Sequence, residues 1–254
     1  SHFGRYVSKS EEKLKGLELI QKKLQLKDLP SRIECFDIST FQGQETVASQ
    51  VVFEDGVPSK ADYRRYKIRT VEGIDDFASM KEVLERRFKH EEYDDPDLIV
   101  IDGGKGQLNI ATEVLKELGR PDLAVVGLAK ARTERDFSDA ELAVSQERFY
   151  LPGRANPVIF PSNTEAFQIL VGIRDEAHRF AITYHRKLRE ATTLESELDS
   201  ITGLGEKRKK ALLKAFPSVE DIRTASIDEI AAIDGFSDKL AREVLGQLTL
   251  GEGE

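Results

Sequence analysis

Leu98-Ile99-Val100-Ile101-Asp102-Gly103-Gly104-Lys105-Gly106-Gln107 is a run of four apolar residues that stops on an acid and passes into a glycine-rich turn. A continuous apolar run of this length suits a strand buried on both faces, as in parallel sheets covered by helices. Downstream, Gly106 to Leu118 has helical spacing and Leu123 to Leu128 reads as a second buried strand. Upstream, Asp75 to Lys89 carries Phe77, Met80, Val83, Leu84 and Phe88 at helical intervals. Helices alternating with buried strands imply right-handed parallel crossovers.

Further back lie three strand-like runs, Arg32 to Ser39, Thr46 to Glu54 and Asp62 to Arg69. The gaps between them hold Gly43 in one case and Asp55-Gly56 followed by Pro58 in the other, which are turn signals. Short gaps make an antiparallel meander the economical arrangement. A three-stranded meander feeding parallel strands is the order of the ribonuclease H-like fold, so the expected class is α/β with a mixed sheet. Residues 9–27 read as an exposed amphipathic helix within an N-terminal extension, 1–30. Residues 131–160 are irregular, with a polar segment at Thr133 to Gln146, and a long helical pattern runs from Ser162 to about Arg189.

Residues 195–250 repeat with a 32-residue offset. Leu198, Ile201, Gly203, Leu204 and Gly205 align with Ile230, Ile233, Gly235, Phe236 and Ser237, and Lys207 aligns with Lys239. Each unit is a helix, a glycine-containing hairpin and a second helix. One unit cannot bury its apolar face alone, so two packed together form a small all-α double helix-hairpin-helix domain. The expected division is a sheet domain over 31–190 and this domain over 195–250.

The only cysteine, Cys35, excludes an intrachain disulfide framework and fits a reducing cytoplasm. No apolar run has the length of a membrane span. The formal charge of -8 weighs against a nucleic-acid binder, but bases gather locally. One group is Lys207, Arg208, Lys209, Lys210 and Lys214; another is Arg179, His185, Arg186, Lys187 and Arg189.

Three positions carry candidate chemistry. Period two on the first strand puts Asp37 on the face of Ile33 and Cys35, where an apolar residue is expected. There it either caps the next turn with Ser39 or is paired or bound to metal, since a lone buried carboxylate is costly. Asp102 ends the buried run at the carboxyl end of a central strand, where open α/β sheets place ligands. The following glycines lead into a helix N-terminus that favours anions, and Lys105 adds a point charge. A plain turn with a capping acid is the alternative. Neither the phosphate-loop spacing nor the dinucleotide fingerprint is present, which disfavours a nucleotide binder.

With the first and fourth strands adjacent, Asp37 and Asp102 are expected to face each other. Two carboxylates that close repel unless a cation lies between them. Mg²⁺ or Mn²⁺ suits such an oxygen-rich setting and can clamp the attacking and leaving oxygens of a phosphodiester. His178, in line with Phe167, Val171, Arg174 and Ile182, reads either as a core or cap residue or as a third group. A nuclease needs a further ligand or proton carrier, which His178 or Glu176 would supply.

In the double helix-hairpin-helix, Gly203, Gly205, Gly235 and Ser237 would bring backbone N–H groups to DNA phosphates. Lys207, Arg208, Lys209, Lys210 and Lys239 would add contacts blind to sequence. The second hairpin lacks the second glycine and so grips less or serves packing. A protein-binding or architectural repeat is the competing reading.

Phe36-Asp37-Ile38-Ser39, Thr46-Val47-Ala48-Ser49, Asp62-Tyr63-Arg64-Arg65-Tyr66 and Asp75-Asp76-Phe77 resemble segments of the UvrC family of bacterial nucleotide excision repair. So do Ile101 to Gln107, Ile173 to Ile182 and Tyr184-His185-Arg186, and the likeness runs from about residue 31 nearly to the end. The resemblance implies a metal-dependent endonuclease that cuts 5′ of a DNA lesion. Its Asp-Asp-His triad falls on Asp37, Asp102 and His178, with Asp76 matching a further acid linked to activity. It implies damaged double-stranded DNA, UvrB and, through the repair complex, UvrA as partners, with the chain itself monomeric. Thr40 stands where the family often has His, and residues 131–146 look like a variable insertion. The family's other nuclease domain and UvrB-docking segment are not in these residues, so the expectation is a fragment that does not make both incisions alone. The competing functional reading is a non-catalytic DNA-binding scaffold.

Overall fold

Ten residue pairs join β1 (Arg32–Phe41) antiparallel to β2 (Glu45–Glu54), from Arg32 opposite Glu54 to Phe41 opposite Glu45, in a computed structural model of the chain. The structure describes residues 2–41, 45–69, 75–90, 92–130, 147–199, 201, 203–216 and 218–250. The predicted insertion at 131–146 and the side chains of Lys187 and Arg189 lie outside the described residues. The third strand expected over Asp62 to Arg69 forms as β4 (Arg64–Lys67), and a further short strand, β3 (Val57–Pro58), forms in the gap read as a turn; both pair with β2 and are separated by a 3-10 turn at Lys60–Asp62. Pro58 lacks an N–H and restricts its own φ, which suits it to this edge position.

α2 (Asp76–Phe88) then leads to β5 (Leu98–Asp102), α3 (Lys105–Glu117) and β6 (Val125–Lys130). β5 runs parallel to both β1 and β6. The sheet order is β3-β2-β1-β5-β6-β7, with β4 also on β2, so the chain has the mixed sheet of a ribonuclease H-like fold. β7 (Glu147–Tyr150), antiparallel to β6, lies in the stretch read as irregular. Four residues with two polar members give too little period to reveal a strand; its pairing with β6 defines it.

Strand alternation sorts the core into two layers. Ile33, Cys35, Leu98 and Val100 face α4 (Glu165–Asp199), which contributes Ile169, Leu170, Ile173 and Ala177. Phe36, Ile99 and Ile101 face Met80, Val83 and Leu84 of α2 and Leu108, Ala111 and Leu115 of α3. α1 (His2–Leu24) joins the first layer through Leu17, Ile20 and Leu24. The helix read as exposed therefore buries one stripe at helical spacing and leaves its charged face to water.

Cys35 is fully buried, and burial pushes its thiol well above its ordinary value, with the charges of Asp102 and Asp37 adding to the effect. The native chain is expected to resist a thiol reagent and to react only as it unfolds. Prompt stoichiometric labelling of folded protein would contradict this packing.

The chain divides into two compact units, Ser1–Ala181 and Ile182–Glu254. The second has its own core of Leu198, Ile201, Leu212, Ile222, Ile230, Ala241, Val244 and Leu248. Its helices after α4 are α5 (Glu206–Ala215), α6 (Val219–Thr224), α7 (Ile227–Ala231) and α8 (Asp238–Leu250). The repeat is visible in the backbone: Gly203 and Gly235, 32 positions apart, turn with φ of +87° and +86°. A Cβ at Gly203 would meet nothing within 4 Å, so the cost of a side chain there is conformational. Gly203→Ala is expected to destabilise this unit by about 1–2 kcal/mol. Urea unfolding followed by helical circular dichroism would read the loss; an unchanged midpoint would contradict it.

Candidate active site

β1 and β5 pair in parallel through Phe36 and Ile101, and the next residue on each strand is an acid, Asp37 and Asp102. Period two places both carboxylates on the face of Cys35 and Val100, toward α4. His178 comes from that helix, one residue beyond buried Ala177. Its Nδ1 lies 3.6 Å from Asp37 Oδ2, and one donor atom each from Asp37, Asp102 and His178 falls within 4.8 Å of the others. The structure thus brings together three residues separated by 65 and 76 positions in sequence, counted from the numbers 37, 102 and 178.

The electrostatics agree with a cation-binding set. Asp37 is nearly buried, while His178 is mostly exposed, leaving one side of the cluster open to a substrate. Burial raises the Asp102 carboxyl above its ordinary value, the charge of Asp37 raises it further, and Arg174 and His178 oppose the shift. An ion bound to oxygen or nitrogen at about 2.0–2.6 Å has ligand atoms no more than about 5 Å apart. Two carboxylates and an imidazole at the observed separation fit that requirement.

Asp76 accepts a 2.8 Å hydrogen bond from Gln107 Nε2. Both line one small cleft with Asp102, Phe36, Ile38, Met80 and Ile101. Asp75 caps α2 by accepting from the Ala78 amide at 2.9 Å, which starts the helix at Asp76. Glu176 is not brought to the cluster. Its carboxylate accepts from Tyr63 Oη at 3.1 Å and from Arg179 at 2.6 and 2.7 Å, and these bonds, that from Arg179 foremost, hold it below the usual carboxylate range. Two residues along a helix turn the side chain by about 200°, which separates Glu176 from His178. Lys105 donates to the Ala155 carbonyl at 2.6 Å and lies over the Tyr150 ring.

Arg174 and Glu147 were not anticipated as site residues. Arg174, one turn before His178, is nearly buried; it donates to Glu147 Oε2 at 2.7 Å and to Asp175 Oδ1 at 2.7 and 3.1 Å. The signal lay in the helical stripe, because an arginine aligned with Phe167 and Val171 must find an acid when it is buried. Gln107 was equally legible only as part of the glycine-rich turn.

In the second unit Gly205 and Ser237 occupy matching N-cap places. The Lys209 amide donates to Gly205 O at 3.0 Å, and the Ala241 amide to Ser237 O at 2.8 Å. Ser237 Oγ also accepts weakly from the Leu240 amide, at 3.4 Å, so serine does capping work where the first hairpin has glycine. Arg208 Nε donates to Gly235 O at 2.7 Å, tying one hairpin to the other. Lys209 is paired with Asp199 and Glu206. Among the described residues, Lys207, Lys210 and Lys239 enter no ion pair, which leaves them available to an anion.

The model described as the UvrC RNAse H endonuclease domain matches residues 21–182, and that of a SAM-like helix-hairpin-helix tandem matches 195–248. The UvrABC system protein C of Bdellovibrio bacteriovorus is 67% identical over 254 residues, covering 100% of this chain and 40% of that protein. The protein of the same name from Geobacter metallireducens is 52% identical over 227 residues, covering 89% and 37%. The chain thus spans about two-fifths of the length of these relatives. Among solved structures, Ciona intestinalis endonuclease V in complex with a 23mer DNA overlaps with a TM-score of 0.39 at 12% identity, covering 67% of this chain and 97% of that one.

Proposed function

This chain belongs to the UvrC family, and from that premise we propose that its first unit is the divalent-metal-dependent endonuclease that makes the 5′ incision beside a DNA lesion. The observation that carries the reading is the convergence of Asp37, within β1, with Asp102 at the carboxyl end of β5 and His178 on α4. Asp37 and Asp102 would hold Mg²⁺ or Mn²⁺, which when bound supplies Lewis-acid stabilisation of charge on the phosphodiester oxygens.

The chain's own groups divide the remaining work. Burial and the Asp37 charge raise the Asp102 carboxyl, and Arg174 opposes that rise and so favours the anion that would bind a cation. Asp37 Oδ2 lies 3.6 Å from Nδ1 of His178, so the two side chains would reach one ion together. His178 completes the set, either as a ligand or as the acid at the leaving oxygen. His178→Gln separates these roles: metal affinity falls in the first case and only turnover in the second. Asp76, fixed by Gln107, holds a second carboxylate beside Asp102. Lys105 would orient a neighbouring phosphate.

The second unit would hold duplex DNA by its hairpin amides and by Lys207, Lys210 and Lys239, without reading sequence. Lys209 contributes less, since Asp199 and Glu206 already neutralise it. The reading places the protein in the cytoplasm as a monomer that works with UvrB and, through the complex, UvrA. Among the described residues no helix is long and apolar enough to cross a membrane.

A nicking assay on damaged duplex with Mg²⁺ or Mn²⁺, with UvrA, UvrB and the remaining UvrC portion supplied, tests the proposal. A cut on the 5′ side that disappears with Asp37→Ala is the expected outcome. Unchanged cutting by that variant would favour a scaffold whose partners do the chemistry.

A further inference from the structure

The first unit carries a second concentration of charge, on the opposite face of the sheet from the triad. Gln50 pairs with Phe36 across β1 and β2, and Tyr66 belongs to the Phe36 layer, so this cleft opens beside α2. It measures about 320 Å³ and is lined by Arg32, Arg64, Arg86, Arg87 and Lys89, with Asp62 the one acid among its lining residues; Arg65 also borders it but sends its guanidinium to the other face, against Phe180. A chain with a formal charge of -8 does not gather five such cations by composition alone.

Arg32, Arg86 and Arg87 are ion-paired with Glu54, Glu82 and Glu34, whereas Arg64 is oriented by neutral groups. Arg64 donates to the carbonyls of Ala61 and Tyr63 at 2.7 and 2.9 Å and to Tyr93 Oη at 3.0 Å. Arg86 donates to the Lys67 carbonyl at 2.8 Å, although Glu82 also accepts from it at 3.1 Å. Tyr66 and Tyr93 lie under guanidinium groups, 5.2 Å from Arg86 and 5.3 Å from Arg64. Arg87 is 2% exposed, and among the described residues its Nη1 is buried without a hydrogen-bond partner. A buried orphan donor is uncommon, and one beside fixed guanidinium groups is suited to an incoming oxyanion.

We propose that this cleft is a second phosphate-binding site that grips the backbone of the DNA at a place other than the scissile phosphodiester. The Arg64 fork, the unpartnered Nη1 of Arg87, Lys89 and the tyrosine rings suit a phosphodiester, which guanidinium groups bind bidentately. A carboxylate peptide would also meet cations here. The identification of the ligand as DNA rests on the nuclease reading above, since a nuclease that reads no sequence must hold its substrate through phosphates.

The test is binding of the whole 254-residue chain to a lesion-containing duplex without divalent ions, across a salt series. Arg64→Glu/Lys89→Glu is expected to weaken binding at least about tenfold and to reduce the slope of log K against log salt by about 2, roughly 0.9 per lost phosphate contact. Lys15→Glu/Lys22→Glu, an equal change of net charge on exposed positions of α1, is expected to leave the slope near that of the unaltered chain. Exposed Lys89→Glu alone serves if the double variant melts early, with a slope change near 1.

Equal slopes for all variants would overturn the proposal while leaving the nuclease reading intact, provided the unaltered chain binds and cuts. Failure of the unaltered chain to bind any duplex would sink both. Inorganic phosphate or AMP that binds the unaltered chain, is lost in the double variant and leaves duplex affinity unmoved would show a free-phosphate site and also overturn it.

Discussion

Asp102→Asn is expected to lower strand cleavage by on the order of a thousandfold or more while duplex affinity changes little, because the lost contacts act on the reacting phosphate. The same substitution has a second, opposite effect on stability. Burial and the neighbouring Asp37 charge both disfavour the ionised Asp102, so a neutral amide removes an unfavourable term. Without divalent ions the variant should therefore melt above the unaltered chain. Addition of Mg²⁺ or Mn²⁺ should raise the melting temperature of the unaltered chain, since a ligand bound only by the folded state stabilises it, and should do much less for the variant. Loss of cutting together with an equal loss of DNA binding would mean that Asp102 supports the fold or the interface instead.

Glu34→Ala is expected to be the most destabilising single replacement in the first unit. Glu34 is fully buried in the layer that otherwise holds Phe36, Ile99 and Ile101. Arg87 donates to it through Nε at 2.9 Å and Nη2 at 2.7 Å, Gln50 at 2.9 Å and Arg32 at 3.1 Å. Truncation strands an arginine that is 2% exposed, and removing one member of a buried ion pair costs about 3–5 kcal/mol. For a unit of this size that corresponds to a fall in melting temperature of roughly 6–20 °C. Glu34→Leu combined with Arg87→Met should recover most of the loss, because it removes both desolvated charges together. A loss below about 1 kcal/mol for Glu34→Ala would mean that water reaches Arg87 in solution.

How much was legible follows from the range of each interaction. β5 and α3 could be read because a four-residue apolar run and a 3.6-residue period are local signals. The Asp37–Asp102 pairing was legible at one remove, since period two gives the face and the meander gives the neighbour strand. His178 was weaker: its helical stripe also suits a core residue, and the resemblance raised it above that reading. The Glu34–Arg87 pair was not legible, because its partners lie 53 positions apart and a polar residue near the start of a strand looks like an outward one. Arg174 and Glu147 are 27 positions apart, on a helix and on the short strand β7 that periodicity did not reveal. The burial of α1 was hidden in the same way, since its charged majority outweighed a stripe of three leucine and isoleucine residues.

The central claim is that one cation is held by two acids and an imidazole contributed by β1, β5 and α4. A crystal soaked in Mn²⁺ and measured at the manganese edge tests it directly. The account predicts an anomalous peak within about 2.6 Å of carboxylate oxygens of both Asp37 and Asp102. Occupied manganese elsewhere in the first unit, with none between those two carboxylates under conditions that support cutting, would contradict it.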